Sequence, residues 1–267
     1  MPVDNRYELL KERLKPYAFV VVCFSGGVDS SLLLAAARDA LDGNVLALTW
    51  QSEVTSDADI KIATVITASL GVSHQIIGSS FLENNEAAAN PLDRCYHCRK
   101  RMYQEILKVA GNIKGSVVLE GTNADDLKDF RPGLQAAEEA GIKHPLAELG
   151  LAKADIREMA RQIGLPNWDK EASPCLATRF SHGLRISSDR LRLVEEAEMF
   201  LRELGFSKVR VRLLDDTHAR IEVDEAEVPA AREKYPEINA YLSSLGLARS
   251  EIDPNGYRAG SLYKGEV

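Results

Sequence analysis

Residues 20–34 read VVVCFSGGVDSSLLL. An apolar run ends in Ser25-Gly26-Gly27, and a second apolar run starts at once. The first, AFVVVCF (18–24), is apolar almost throughout, as a strand covered on both faces is. Residues 30–41 have helical composition. Adjacent glycines let the backbone take positive φ and come close to an anion. The N-terminus of the following helix presents free N–H groups and a partial positive charge. Ser25 and Ser30 add hydroxyl donors, and a curl of N–H groups completes an anion cradle. No Gly-Lys-Ser/Thr follows, so this is not a Walker loop. A tight βα turn with an N-cap serine is the plainer reading of the same residues.

Outward from this loop the first half alternates. NVLALTW (44–50), SHQIIG (73–78) and SVVLEG (116–121) read as strands, and residues 57–70 and 99–110 as helices. Strands separated by helical patterns of ten or more residues imply βαβ crossovers and a parallel sheet. Ligands bind at the C-terminal edge of such a sheet, where the Ser-Gly-Gly turn falls. Trp50, Gln51 and Ser52 end the second strand at that edge, where an adenine could stack on the indole. A core-edge aromatic is the alternative for Trp50.

The pattern then breaks. FRPGLQAAEEAGIKHPLAELG contains a Pro-Gly turn, a short helix and another proline, and residues 153–165 form an amphipathic helix ending at Gly164. The polar, turn-rich stretch that follows is the expected junction. Residues 188–204 read as a helix, KVRVRLL (208–214) as a half-exposed strand paired with ARIEV (219–223), residues 225–235 as a helix, and LARSEID as a last strand. The expected organisation is an α/β parallel-sheet domain over residues 1–170, a linker over 171–187 and a small α+β domain over 188–267.

Composition narrows the function. The 267 residues are 45% hydrophobic and 27% charged, as in ordinary globular proteins. There are 33 basic and 40 acidic residues, a net charge of -7. That argues against a chain-wide nucleic-acid surface. No apolar stretch reaches the roughly 18 residues of a membrane span. The charged, helical N-terminus is no secretory signal, and the expected location is cytoplasmic.

Four cysteines remain: Cys23, Cys95, Cys98 and Cys175. Cys23 lies inside an apolar strand and reads as core. Cys95-Tyr-His-Cys98 precedes a helix, and Cys175 stands alone in SPCLATRF. Three thiolates suit three corners of an iron–sulfur cluster, leaving one iron open to inorganic sulfur. Alternatives are a persulfide relay with Cys175 as carrier, a zinc site with His97 or His182 as fourth ligand, and a structural cysteine pair.

The spacing Ser-Gly-Gly-x-Asp-Ser resembles that of the PP-loop ATP pyrophosphatases. That resemblance implies that the loop holds the β- and γ-phosphates of ATP, that Asp29 helps place Mg²⁺, that the stretch from Gly121 to Asp125 and Asp126 borders the nucleotide, and that Lys153 reaches the phosphates. Over nearly its whole length the chain further resembles the LarE family, ATP-dependent pyridinium-dicarboxylate mononucleotide sulfur transferases of nickel-pincer cofactor synthesis. The carriers are CFSGGVDS (23–30), GTNADDLKDFRPGLQAAEEAG (121–141), LAKADIREMARQIGLPNWDK (151–170), ASPCLATRF (172–180) and LGFSKVRVRLLDDTHARIEV (204–223). The Arg-Pro-Gly-Leu element and the Val-Arg-Val-Arg strand separate this family from other pyrophosphatases.

The resemblance implies that ATP adenylates a carboxylate of the mononucleotide and that sulfur then displaces AMP. The catalytic set would be Cys175, Cys95, Cys98 and Asp29; the nucleotide set Ser25, Gly26, Gly27, Asp29, Ser30, Trp50, Ser52, Gly121, Asp125 and Lys153. The substrate phosphate would meet Arg179, Arg210 and Arg212, the last two on one face of their strand. In one branch of the family a single cysteine gives up its own sulfur. Ungapped alignment puts that cysteine on Pro174, so the chain resembles instead the branch with a 4Fe-4S cluster on three cysteines. Sulfide or another sulfur donor and a homo-oligomer are implied partners. A cluster-dependent tRNA thiolase and a non-enzymatic ATP-binding module with a structural metal are the alternatives.

Overall fold

The computed structural model describes residues 5–128, 131–171 and 173–258. Asp129, Phe130 and Ala172 of the motifs above, and residues 259–267 of the expected C-terminal domain, lie outside the described residues. In chain order the elements are α1 (Asn5–Leu14), β1 (Phe19–Cys23), α2 (Val28–Ala40), β2 (Val45–Gln51), α3 (Asp57–Leu70), β3 (Ser73–Gly78), α4 (Asn85–Ala88), α5 (Arg94–Gly111), β4 (Ser116–Glu120), α6 (Pro132–Glu139), α7 (Pro145–Glu148), α8 (Lys153–Gln162), α9 (Ser188–Glu203), β5 (Arg210–Leu213), β6 (His218–Glu222), α10 (Val228–Glu233), α11 (Tyr235–Ser244) and β7 (Arg249–Ile252). They divide into two compact units, Met1–Asn84 with Asp93–Pro174, and Asn85–Leu92 with Cys175–Val267.

The first unit is an α/β domain on a parallel sheet of order β3-β2-β1-β4. Val20, Val21 and Val22 are fully buried, as a central strand covered on both faces requires. From β1 the chain moves outward to β2 and β3, then crosses to β4 on the other side. The loops after β1 and β4 therefore diverge, and the crevice between them is the topological switch point where such sheets take ligands. Residues 32–37, LLLAAA, are fully buried, and α2 packs against α1 and α8. That apolar girth fixes α2, and with it the loop that opens it.

Three local expectations change. Helix α2 begins at Val28, so Asp29 and Ser30 stand in its first turn. Helix α5 begins at Arg94, so Cys95 and Cys98 are its second and fifth residues and do not lie ahead of it. The Pro132-Gly133 pair is not a turn but the start of α6; proline needs no N–H partner at the first helical position.

The second unit is α+β. Strands β5 and β6 are antiparallel, β6 and β7 parallel. A parallel neighbour demands a crossover, here α10 and α11. The single helix expected over 225–235 is a 3-10 turn (Glu225–Glu227) followed by α10, and α11 is additional. Segment Asn85–Leu92 belongs to this unit through Asn90, which is fully buried with φ 57°. Its side-chain amide donates to the carbonyls of Phe180, Ser181 and Leu184 at 3.3, 2.7 and 3.2 Å.

Strand β5 is less exposed than its basic–apolar alternation implies. Arg212 is buried and meets the buried Glu222 at 2.8 Å. Arg179 is buried and meets Glu198 at 2.9 Å. Glu198, on α9, also accepts from Arg202 at 2.8 Å and from the Val211 N–H at 3.2 Å. Removing one partner of such a pair leaves an uncompensated buried charge, at about 3–5 kcal/mol. Glu198→Ala is expected to destabilise the chain by about that amount, whereas Arg202→Ala, half-exposed, costs about 1 kcal/mol or less. Equilibrium denaturation of both variants checks this; equal losses would refute it.

Candidate active site

The phosphate-type cradle is built by the βα turn itself. Gly27 is the N-cap of α2 and receives no side-chain cap, which leaves the first-turn N–H groups for a ligand. The Ser30 hydroxyl donates to the Gly27 carbonyl at 3.0 Å and lies 3.2 Å from Ser25 Oγ. Ser25 is exposed, Ser30 buried. Gly26 takes φ +70°, and a Cβ there would sit 3.1 Å from the Ala63 nitrogen of α3. Conformation and space both require glycine.

The turn after β4 closes on this loop. A Cβ on Gly121 would lie 2.8 Å from the Ser30 nitrogen and 3.0 Å from the Asp29 carbonyl carbon. Asn123 organises the next residues as an Asx turn, its Oδ1 accepting from the N–H groups of Asp125 (2.9 Å) and Asp126 (3.1 Å). Its Nδ2 donates to Asp29 Oδ1 at 3.3 Å. The other Asp29 oxygen is ion-paired with Lys153 Nζ. Lys153 opens α8, and its backbone N–H donates to Asp125 Oδ2 at 2.9 Å. The Lys128 ammonium, then this N–H, hold the Asp125 carboxyl below its ordinary value. Ser25, Gly26, Gly27, Asp29, Ser30, Gly121, Asp125 and Lys153 thus form one constellation at the switch point. Asn123, quoted in the motif but not singled out, joins them.

Trp50 is the penultimate residue of β2, with its indole N–H buried and without a hydrogen-bond partner. Buried Trp N–H groups usually find one. Ser52 turns back on Thr55, whose hydroxyl accepts from the Ser52 N–H at 3.2 Å.

Cys95 and Cys98 are half-buried and three residues apart on α5, hence on one side of the helix near its start. One turn on, Arg99 donates to Glu120 Oε1 at 2.5 Å and to the Tyr103 hydroxyl at 2.9 Å; Tyr103 donates to Glu120 Oε2 at 2.8 Å. Burial by itself disfavours the Arg99 charge, but Glu120 and Tyr103 outweigh it and raise its pKa. Cys23 is buried, and its thiol is pushed far up by desolvation, in keeping with a core residue. Cys175 belongs to the second unit. It is exposed and precedes the 3-10 turn Leu176–Arg179, its carbonyl accepting from Arg179 at 3.2 Å. Among the described residues no group of three or more His, Cys, Asp or Glu side chains is set to hold a metal ion.

In the second unit the charges of Arg179 and Arg212 both act on Arg210. Arg210 has no carboxylate at ion-pair distance among the described residues. Its Nε is buried without a partner, and its guanidinium carbon lies 5.1 Å from the Tyr257 ring centre. Burial, and next the charge of Arg179, lower its pKa.

A glycine-rich anion cradle at the switch point of a parallel sheet, faced by Asp29 and Lys153, defines a PP-loop ATP-using enzyme. The family model for NAD synthase matches residues 3–126. Along the whole chain the likeness is more specific. The pyridinium-3,5-bisthiocarboxylic acid mononucleotide synthase of Lactiplantibacillus plantarum is 36% identical over 93% of this chain and 90% of its own. An uncharacterized protein of Synechocystis sp. is 33% identical over 97% of both chains. A tRNA-specific 2-thiouridylase of Azorhizobium caulinodans is 29% identical over 58% of this chain and 49% of its own. The chain belongs to the LarE family of ATP-dependent sulfurtransferases within the PP-loop class. No helix among the described residues is long and apolar enough to cross a membrane.

Gly121→Ala is expected to push the end of β4 off the PP-loop and weaken ATP binding about tenfold or more, since the clash is with backbone and cannot be relieved by a rotamer. Calorimetric titration with ATP measures it; unaltered affinity in a folded variant would refute the close approach.

Proposed function

We propose that the chain adenylates the carboxylates of a pyridinium biscarboxylate mononucleotide and converts them to thiocarboxylates in nickel-pincer cofactor synthesis. The sulfur would be carried by a 4Fe-4S cluster on Cys95, Cys98 and Cys175. The observation that carries this reading is the reach of the likeness to the mononucleotide synthase, 93% of the chain, which takes in both the nucleotide unit and the arginine-bearing second unit.

The PP-loop N–H groups and the Ser25 and Ser30 hydroxyls bind the β- and γ-phosphates of ATP, which leave as pyrophosphate when a substrate carboxylate attacks the α-phosphorus. Lys153, held beside the cradle by Asp29, stabilises the negative charge that grows on the phosphates. Trp50 and Ser52 border the adenine. Asp29 is an oxygen donor beside the cradle, which suits a hard cation; bound Mg²⁺ would neutralise the departing pyrophosphate. Arg179, Arg210 and Arg212 hold the substrate phosphate; three guanidinium groups over two carboxylates leave a surplus positive charge for it. Two half-buried thiols on one helical turn and an exposed third are soft donors that fit an iron–sulfur cluster, which would supply transferable inorganic sulfur. Sulfur displaces AMP from the activated acyl carbon. A net charge of -7 favours a small-molecule acceptor over tRNA. A cytoplasmic location, a sulfide-type donor and a homo-oligomeric assembly complete the proposal.

Under anaerobic conditions, pyrophosphate release is expected to require the pyridinium mononucleotide and not tRNA. Cys95→Ala, Cys98→Ala and Cys175→Ala are each expected to retain pyrophosphate release while thiocarboxylate formation falls by roughly 100-fold or more, the scale of losing a group that acts in a later step. Release stimulated by tRNA, or by no acceptor, would overturn the substrate. Zinc in place of iron, or turnover with Cys95 and Cys98 both replaced, would overturn the cluster.

A further inference from the structure

The segment between α8 and the end of the first unit contains LPNWDK, and Asn167 in it is buried at 6% exposure. Its side-chain Nδ2 lies 3.0 Å from the Gly26 carbonyl oxygen and 3.0 Å from Ser31 Oγ, reaching 141 and 136 residues back along the chain. A carbonyl only accepts, so the nitrogen of the amide must face Gly26. Its oxygen is then left buried without a hydrogen-bond partner. A buried unpaired oxygen destabilises the fold, so this amide is not placed for its own satisfaction.

What the contact fixes is the peptide between Gly26 and Gly27. In a trans peptide the C=O and N–H point opposite ways. With the Gly26 oxygen drawn toward Asn167, the Gly27 N–H is turned to the side of Ser25, whose Oγ is 3.3 Å away. Turned the other way, the same peptide would aim a carbonyl dipole at bound phosphate. Glycine at φ +70° has the freedom for either orientation, and two contacts choose: Asn167 on the carbonyl oxygen, from outside the loop, and Ser25 Oγ on the N–H, from within it. The packing of Gly26 on Ala63 limits where the loop sits but not which way this peptide faces.

The segment bearing Asn167 is itself fastened. Lys170 Nζ lies 2.8 Å and Ser173 Oγ 3.1 Å from the Asp59 carboxylate of α3, and Arg157 of α8 donates to the Lys170 carbonyl at 3.3 Å. Asn167 is therefore held by two helices while it holds the loop.

We infer that Asn167 is a positioning residue for the PP-loop: it locks the Gly26–Gly27 peptide with its N–H toward the cradle, and so sets affinity for the β- and γ-phosphates of the nucleotide. The inference rests on the ATP reading of the loop.

The test is calorimetric titration of the full chain, and of Asn167→Ala and Asn167→Asp, with ATP, inorganic pyrophosphate and AMP. ATP and pyrophosphate are expected to bind about tenfold or more weakly to both variants, the scale of one hydrogen bond to a preoriented group. AMP, which lacks the two outer phosphates, is expected to bind within about twofold of the parent. A residue that merely stabilised the fold would weaken all three ligands alike. Asn167→Ser covers the case in which the other two fail to fold. Parent-like ATP affinity in a folded variant, or equal losses for ATP and AMP, would overturn the inference. Failure of the unaltered chain to bind either ATP or pyrophosphate would instead overturn the nucleotide reading, and the inference with it.

Discussion

The site depends on one close approach: the end of β4 touches the backbone of the PP-loop with no side chain between. Gly121 makes this possible, because any Cβ would fall 2.8 Å from the Ser30 nitrogen. The strand order puts β1 beside β4, and only at that junction do consecutive loops diverge to leave a crevice. With β4 so near, Asn123 and Lys153 both reach the Asp29 carboxylate. Asp125, tied to the Lys153 N–H, fixes where α8 begins. The cradle's charge pattern is thus a consequence of strand order and one missing methyl group.

The same strand end reaches the cysteine pair. Glu120, the last residue of β4, is buried and accepts from Arg99 and Tyr103, both on α5. Arg99 passes over α6 where Gly133 stands; a Cβ there would be 2.5 Å from the Arg99 Cδ. The glycine of Arg-Pro-Gly-Leu therefore leaves room for the side chain of an arginine 34 positions earlier. A chain of contacts runs from Cys95 and Cys98 through Arg99 and Glu120 to Gly121 and the PP-loop, all within one unit. A buried carboxylate with two charged or hydroxyl donors holds its place tightly, because a change in any member strands the others.

The parallel sheet was legible because its strands are apolar runs separated by helix-length patterns, and the PP-loop because its chemistry is local: glycines, hydroxyls and one Asp in six residues. What was not legible depends on pairs distant in sequence. Helix α5 starts five residues before its expected residue 99, at an arginine that is buried, and composition reveals neither. Nothing local marks Asn167, a polar residue in a turn-rich stretch, as a donor to Gly26. Nothing local in residues 85–92 marks them for the second unit, yet Asn90 binds them to backbone carbonyls some 90 positions on.

The arginines of the second unit show why a basic–apolar alternation is ambiguous. An alternating strand presents one face to solvent in the simplest case, and Arg210 and Arg212 would then be interchangeable surface charges. Here the face is covered. Arg212 is matched by Glu222 and Arg179 by Glu198, so the burial of these two is offset by carboxylates at ion-pair distance. Arg210 shares their surroundings without such a match, and its lowered pKa records the combined effect of desolvation and the neighbouring Arg179 charge. A cation in that position gains most from an anion brought from outside. The asymmetry among three arginines, not their number, is what makes this face fit a phosphate.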